Sequence, residues 1–509
     1  MPLKVAMIGA GSIGFTRRLM GDLLAVPEFR DTQFAFMDID ARNLSMITQL
    51  AERDIAANGL PARIRATTDR RQAIADADYV ICTIRQGGLE AFAQDIEIPL
   101  RYGIDQCVGD TLCAGGIMYG QRSIPALLDI CRDIREMARP DALFLNYSNP
   151  MAMNTWACNK YGGVNTIGLC HGVQGGHWQI TRCIERWAQR EGLLAADETL
   201  HKDDVDIVAA GINHQTWYLQ VRWQGRDMLT LLPELFASHP DYAFTEKLRI
   251  DVLRRFGYYS TESNGHLGEY LPWYRKREEE IPKWVDLSRW INGETGGYLR
   301  VCSERRNWFE TDFPAWLEET PPVFSAANRS EEHGSYIIEG LETGRPYRGH
   351  FNVINQGHIR NLPNGCVVEI PGYVDGNGIN MPVVGDLPLA CAATCSASVR
   401  VQEMAVEAAV RGDVTLLKQA MLHDPLAGAV CNPEEIWQLT DEMLVAQAQW
   451  LPNYADGILA ARERLEAHVE QGTRVALREW RGAARLQGSP SGHEAPAQAT
   501  VANGGNPTR

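Results

Sequence analysis

The segment Gly9-Ala10-Gly11-Ser12-Ile13-Gly14 lies between a short apolar run, Leu3 to Ile8, and a helix-compatible run, Phe15 to Leu24. A GxGxxG turn in this strand–turn–helix setting leaves few folds open. Its glycines permit a tight turn, close approach of the backbone to a pyrophosphate and close packing of helix on strand, while the helix start offers amide donors to phosphates. The next apolar run, Gln33 to Met37, ends in Asp38-Ile39-Asp40. A carboxylate at that strand end accepts from a ribose 2′-OH, which favours NAD over NADP. Gly9, Gly11, Ser12, Gly14 and Asp38 are therefore the expected dinucleotide contacts.

The alternation continues. Arg42 to Asn58 suits a helix, Ile64 to Ala66 a strand, Gln72 to Ala77 a short helix and Tyr79 to Ile84 a buried strand; further buried strands are expected at Ala142 to Leu145 and Thr166 to Leu169. The expectation is an α/β fold: an N-terminal Rossmann-type doubly wound sheet over residues 1–200, then a second mixed α+β region, 201–486, largely helical towards the C-terminus. The Gly-, Pro-, Ala- and Ser-rich tail, 487–509, is expected to be disordered.

With 509 residues and 45% hydrophobic content, the chain has ample material for a core. No apolar run approaches the roughly 18 residues that span a bilayer, and Met1 to Ala6 carry no signal-peptide or lipidation pattern, so a cytoplasmic location is expected. The 12 cysteines form no CxxC pair and read as reduced thiols. A net charge of −15 without a Lys/Arg cluster argues against nucleic acid and anionic membrane and for a small-molecule substrate.

Several polar side chains stand where strands end. Asn146 to Pro150 follow one strand and place Asn149 in a turn; Cys170 and His171 follow the next; His214 follows Asp206 to Ala210. In an open parallel sheet that edge binds ligands, and a thiol with an imidazole makes a transition-metal pair. Arg85, after another strand, is placed to hold an anionic or hydroxyl-bearing ligand. Asp110 is the one carboxylate of a small-residue loop, Gly109 to Gly116, ahead of a helix expected from Ile117 to Met137; it is a candidate general acid or base.

Taken together, GAGSIGF at the start, DTLCAGGI at Asp110, LNYSNPMAMNTWA, GLCHGVQG and AGINHQTWYL resemble glycoside hydrolase family 4, NAD- and Mn-dependent glycosidases. Thr261-Glu262-Ser263, His266, Glu269-Tyr270 and Asn361 to Cys366 make the melibiase-like α-galactosidase branch the nearest. The resemblance implies a metal held by Cys170 and His214 and a sugar held by Asn149. Where α-glucosidase branches carry an aspartate after the metal cysteine, this chain has His171, which leaves the leaving-group acid between Asp110 and His171. It likewise leaves the base between Tyr258 and His266.

Family 4 is a known exception to the two-carboxylate glycosidase scheme. The implied route takes hydride from sugar carbon 3 onto NAD, removes the acidified proton on carbon 2, eliminates the glycosidic oxygen, adds water and returns the hydride. A divalent cation, Mn²⁺ or a neighbour, is expected as the Lewis acid. An α-galacturonide or α-glucoside is the nearest alternative substrate, and an NAD-dependent hydroxy-acid dehydrogenase the alternative of another class. A homo-oligomer is expected.

Overall fold

In the computed structural model, which describes residues 2–304 and 308–478, six parallel strands build the N-terminal half. They are β1 (Lys4–Ile8), β2 (Gln33–Met37), β3 (Arg63–Thr67), β4 (Tyr79–Cys82), β5 (Leu143–Asn146) and β6 (Thr166–Gly168), in the spatial order 3-2-1-4-5-6. That order is the dinucleotide-binding arrangement, with its switch point between β1 and β4. Every residue of β4 and β5 is buried, as expected of parallel strands covered by helices on both faces. The edge strand β3 is mostly exposed and carries Arg63 and Arg65, charges that discourage further pairing.

The rest of the chain extends the same sheet. Strands β7 (Val205–Ile212), β8 (Gln215–Trp223), β9 (Arg226–Asp227), β10 (Tyr259–Ser260), β11 (Tyr347–Ile354), β12 (Val367–Asp375) and β13 (Gly378–Asn380) complete 13 strands, running β10-β8-β7-β12-β11 into β6, with β9 on β8 and β13 on β12. These strands pair antiparallel throughout, and one isolated parallel bridge joins Ile359 to Gly385 outside them. The mixed region expected after residue 200 is thus continuous with the Rossmann sheet through β6 and β11, where Gly168 pairs with Asn352.

Helices behave as the pattern requires, with one informative difference. Asp40 caps the helix Ala41–Ala57 by accepting from the amides of Arg42 and Asn43. The helix expected from Ile117 begins at Cys113 and runs to Met137. Gly115 and Gly116, expected in the loop, sit in its first turn; a Cβ on Gly116 would lie 2.4 Å from the Thr111 carbonyl carbon. Their smallness lets this helix close onto the Asp110 loop. The C-terminal helices Leu389–Arg411, Val414–His423, Pro433–Ala446 and Ala455–Gln471 pack as a group, the first of them against Cys113–Met137. The tail expected at 487–509 lies outside the described residues. Among those residues, no helix is long and apolar enough to cross a membrane.

Candidate active site

One cavity of about 1920 Å³ runs from the GxGxxG turn to the ends of the polar segments, lined among others by Gly9, Ser12, Asp38, Arg85, Asp110, Asn149, Cys170, His171, His214 and His266. It exceeds the roughly 300–1,000 Å³ that holds one drug-sized ligand, so a dinucleotide and a second molecule have room side by side.

At its dinucleotide end, Gly9 has φ +87°, and a Cβ there would stand 2.9 Å from the Thr83 carbonyl carbon. Only glycine satisfies both the left-handed backbone and the close approach of β4. The Gly11 amide donates to Asp38 Oδ2 at 2.8 Å, and the Asp40 amide to Asp38 Oδ1 at 2.9 Å. The carboxylate is thereby fixed beside the turn. Gly14 differs from expectation: a Cβ there would meet nothing within 4 Å, so close helix–strand packing is not what its smallness serves.

The second end is built around His214. Sequence reading puts His214 on a strand-to-loop end; instead it occupies the two-residue turn between β7 and β8, with φ +66°. A non-glycine residue held there is strained in the way ligand-holding residues often are. The Thr111 hydroxyl donates to Asp110 Oδ1 at 3.0 Å and also lies 2.9 Å from His214 Nδ1. With its one proton committed to the carboxylate, Thr111 accepts from His214 Nδ1–H. That fixes the tautomer and leaves the lone pair of Nε2 facing Cys170 Sγ at 3.4 Å and Glu262 Oε2 at 3.5 Å. Burial lowers the His214 pKa to about 4 against the pull of Glu262, so the ring is neutral, as a metal ligand must be.

Glu262, His266 and Tyr270 are four residues apart along the buried helix Asn264–Tyr270 and its entry, and so share a face. His266 Nδ1 lies 3.5 Å from Glu262 Oε1, and its Nε2 lies 3.4 Å from Glu269 Oε2 and 3.9 Å from Asp110 Oδ1. Burial opposes protonation of His266, yet these three carboxylates push its pKa up to about 9. Burial likewise opposes ionisation of Glu262, but the protonated His266 and the Ser263 amide hold it well below the usual carboxylate range. The Tyr270 hydroxyl bonds His266 Nε2 and stands 3.3 Å from His214 Nδ1.

The third group gathers Asp110, Asn149 and Arg85. Asn149 Nδ2 donates to Asp110 Oδ2 at 3.1 Å, and Arg85 Nη2 reaches the same oxygen at 3.4 Å. The Arg85 guanidinium is set among the rings of Phe92, Tyr119 and Tyr298, 4.6, 5.2 and 5.3 Å from their centroids. Glu269 Oε1 clamps the loop by accepting from the amides of Val108 and Gly109 at 2.7 and 3.0 Å.

Two candidate residues stand apart. His171 lines the cavity but is half-exposed, with Nδ1 4.0 Å from Glu332 Oε1. Tyr258 is half-buried against the apolar core and is not among the cavity-lining residues, because the chain enters β10 there and β10 pairs along β8. Sequence reading gave no role to Glu262, Thr111 or Tyr270. All three stand in the motifs that carry the family resemblance, and the four-residue spacing of Glu262, His266 and Tyr270 was a further signal.

A divalent transition metal fits this donor set. Cys170 Sγ and Glu262 Oε2 lie 3.4 and 3.5 Å from the free Nε2 of His214. A thiol, a neutral imidazole nitrogen with its other nitrogen anchored, and a carboxylate suit Mn²⁺ or its neighbours. Burial keeps the Cys170 thiol protonated, so a cation bound there displaces a proton.

Known proteins share this architecture. Residues 4–185 match the family 4 glycosyl hydrolase model, and residues 209–427 match the model of the family 4 glycosyl hydrolase C-terminal domain. An alpha-galactosidase of Rhizobium meliloti (strain 1021) is 58% identical over 485 residues, 95% of either chain. An alpha-galactosidase of Bacillus subtilis (strain 168) is 33% identical over 456 residues, 89% of this chain and 99% of that one. The 6-phospho-beta glucosidase of Thermotoga maritima, solved with manganese, NAD⁺ and glucose-6-phosphate, has the same fold: TM-score 0.67 at 23% identity, over 88% of this chain and 99% of that one. The motifs, the 3-2-1-4-5-6 sheet order and the matches to both halves make this chain a member of glycosyl hydrolase family 4.

Proposed function

We propose that this enzyme hydrolyses α-galactosides with NAD⁺ and a divalent metal, Mn²⁺ foremost. What carries the reading is that one cavity holds both the GxGxxG turn with Asp38 and the Cys170–His214–Glu262 donor set. The choice of sugar is supported by the two alpha-galactosidase relatives.

When bound, NAD⁺ supplies a hydride acceptor for carbon 3 and the cation a Lewis acid for the neighbouring oxygens. Cys170, His214 and Glu262 hold the metal. Asn149 and Arg85, both tied to Asp110, orient the sugar hydroxyls. Glu262 is the carboxylate that most holds the His266 ring protonated; once the cation takes it up, His266 can accept the carbon 2 proton, in preference to Tyr258, which is not among the cavity-lining residues. Asp110 is 3.9 Å from His266 Nε2 and acts with the base. Departure of the glycosidic oxygen falls to His171, whose half-exposed ring stands where a leaving group can reach solvent.

In this reading residues 1–200 hold the dinucleotide and bring in Cys170, while 201–486 supply His214, Glu262 and His266. The protein works in the cytoplasm, supported by 12 free cysteines. It works as a homo-oligomer on small sugars rather than on nucleic acid or membrane.

The test is hydrolysis of aryl α-galactoside, α-galacturonide and α-glucoside, with NAD⁺ and Mn²⁺ each supplied or withheld. Release from the galactoside that needs both additives is the expected result. Release without either overturns the mechanism, release from another sugar alone overturns the substrate, and accumulating NADH points to a dehydrogenase.

A further inference from the structure

Past His171 the cavity continues along the helix Gly172–Arg190, and this stretch takes no part in the chemistry above. His171, Gln174, Trp178 and Arg182 all line the cavity, and their spacing of three and four residues puts them on one helix face. The helix begins next to Cys170 and runs away from it. At roughly 1.5 Å of rise per residue, Trp178 stands about 10 Å further along the axis than His171.

The near part of this face is bare. Gly172 and Gly175 line it, and a Cβ on the exposed Gly175 would meet nothing within 4 Å. The far part is built. The indole of the half-buried Trp178 donates from Nε1 to Glu331 Oε2 at 3.1 Å, and Lys202 Nζ stands 3.7 Å from the other oxygen of that carboxylate. The Arg182 guanidinium lies 5.2 Å from the indole centroid, and the His201 ring meets the indole at right angles, 5.1 Å between centroids. Gln174 Nε2 donates to the Glu331 carbonyl at 2.5 Å, while Gln174 Oε1 is buried with no hydrogen-bond partner among the described residues. A buried acceptor without a donor is costly, and a ligand hydroxyl would satisfy it. Glu332, the next residue, comes within 4.0 Å of His171 Nδ1, so one segment, 331–332, borders both ends of the face.

A glycosidic oxygen that departs at His171 carries its leaving group onto this face. An indole offers large, rigid apolar area to the C–H groups of a sugar ring, and the carboxylate, ammonium and amide around it suit ring hydroxyls. Resting on the α-galactosidase reading, we propose that the helix face from Gly172 to Trp178 is the leaving-group subsite for α-galactosyl oligosaccharides, with the first leaving sugar over Gly172 and Gly175 and the second against Trp178. Trp178 is thus a specificity-determining residue for the length of the leaving group. It touches neither face of the galactose ring, so both stay open to the nicotinamide and the base.

The experiment compares the holoenzyme with Trp178→Ala and Trp178→Phe, with NAD⁺ and Mn²⁺ supplied throughout. Initial rates of galactose release give kcat and KM on melibiose, which leaves a single glucose, and on manninotriose, an α-galactosyl melibiose that leaves two pyranoses. The wild-type enzyme shows the lower KM on manninotriose. In Trp178→Ala the ratio of the manninotriose KM to the melibiose KM rises about tenfold, with the smaller ring of Trp178→Phe between. The loss lies in KM rather than kcat, because the ring meets a sugar that does not react. An unchanged ratio overturns the proposal, and so do equal losses on both substrates, the mark of a residue that only supports the helix behind His171. If Trp178→Ala does not fold, Trp178→Phe decides by the same ratio. A wild-type enzyme that releases galactose from neither substrate overturns the functional reading and this inference with it; a wild-type α-galactosidase whose ratio ignores Trp178 overturns this inference alone.

Discussion

The single hydroxyl proton of Thr111 decides what His214 can do. Given to Asp110, it makes Thr111 the acceptor for His214 Nδ1–H and frees Nε2 to coordinate. Thr111→Val removes that anchor without removing any proposed ligand. Its Mn²⁺ affinity, read by calorimetry, should fall about 10- to 100-fold, the usual effect of losing the partner that orients a metal-bound imidazole. Cys170→Ser should weaken Mn²⁺ at least as much while NAD⁺ binding survives, since the dinucleotide contacts lie at the other end of the cavity. Unfolding instead of selective metal loss would make Cys170 a packing residue. Cys170, His214, Asp110 and Asn149 could be picked out from sequence because each interrupts an apolar run or a small-residue loop. Thr111, Glu262 and Tyr270 stand in the quoted motifs, but their roles could not be read there, because those roles come from contact across the fold: Thr111 meets His214 103 positions away. Tyr258 shows the converse. It stands in a plausible string of aromatics, and only the pairing of β10 with β8 turns it to the core.

At the scale of elements, the turn from β1 into its helix is the most constrained. A Cβ on Gly11 would sit 2.6 Å from Asp38 Oδ2, the oxygen that accepts the Gly11 amide. Gly11→Ala must displace that carboxylate, so NAD⁺ affinity should drop by about tenfold or more, the cost of one charge-assisted hydrogen bond, with Mn²⁺ affinity intact. Equal loss of both ligands would mean that the turn supports the whole cavity. The parallel strands were legible because burial on both faces makes them continuous apolar runs. The start of the helix at Cys113 was not, because Gly115 and Gly116 have low helix propensity and are admitted there by packing against the Asp110 loop.

Over the whole molecule, one sheet carries both halves, and buried charges tie the helices Gly88–Arg101 and Cys113–Met137 to the C-terminal helices. Arg122 pairs with Asp95 at 2.6 Å, and Gln447 Nε2 donates to Asp95 Oδ1 at 2.8 Å, all three fully buried. Arg122→Ala strands a buried carboxylate and should cost about 3–5 kcal/mol, seen as a lower urea midpoint. A change near zero would mean that water or a proton replaces the guanidinium. The antiparallel extension was beyond sequence reading, because β11 and β12 pair into a sheet whose partner strand, β6, ends 179 positions before β11 begins at Tyr347, as 347 minus 168.

The central claim, that a glycosidic bond is broken through oxidation and elimination at this site, is tested most directly by NMR of the sugar released from an aryl α-galactoside in deuterated water with NAD⁺ and Mn²⁺. Deuterium at carbon 2 of the released galactose is the predicted result, with His266→Ala abolishing both exchange and release. Release of galactose that keeps its protium at carbon 2 would contradict the account.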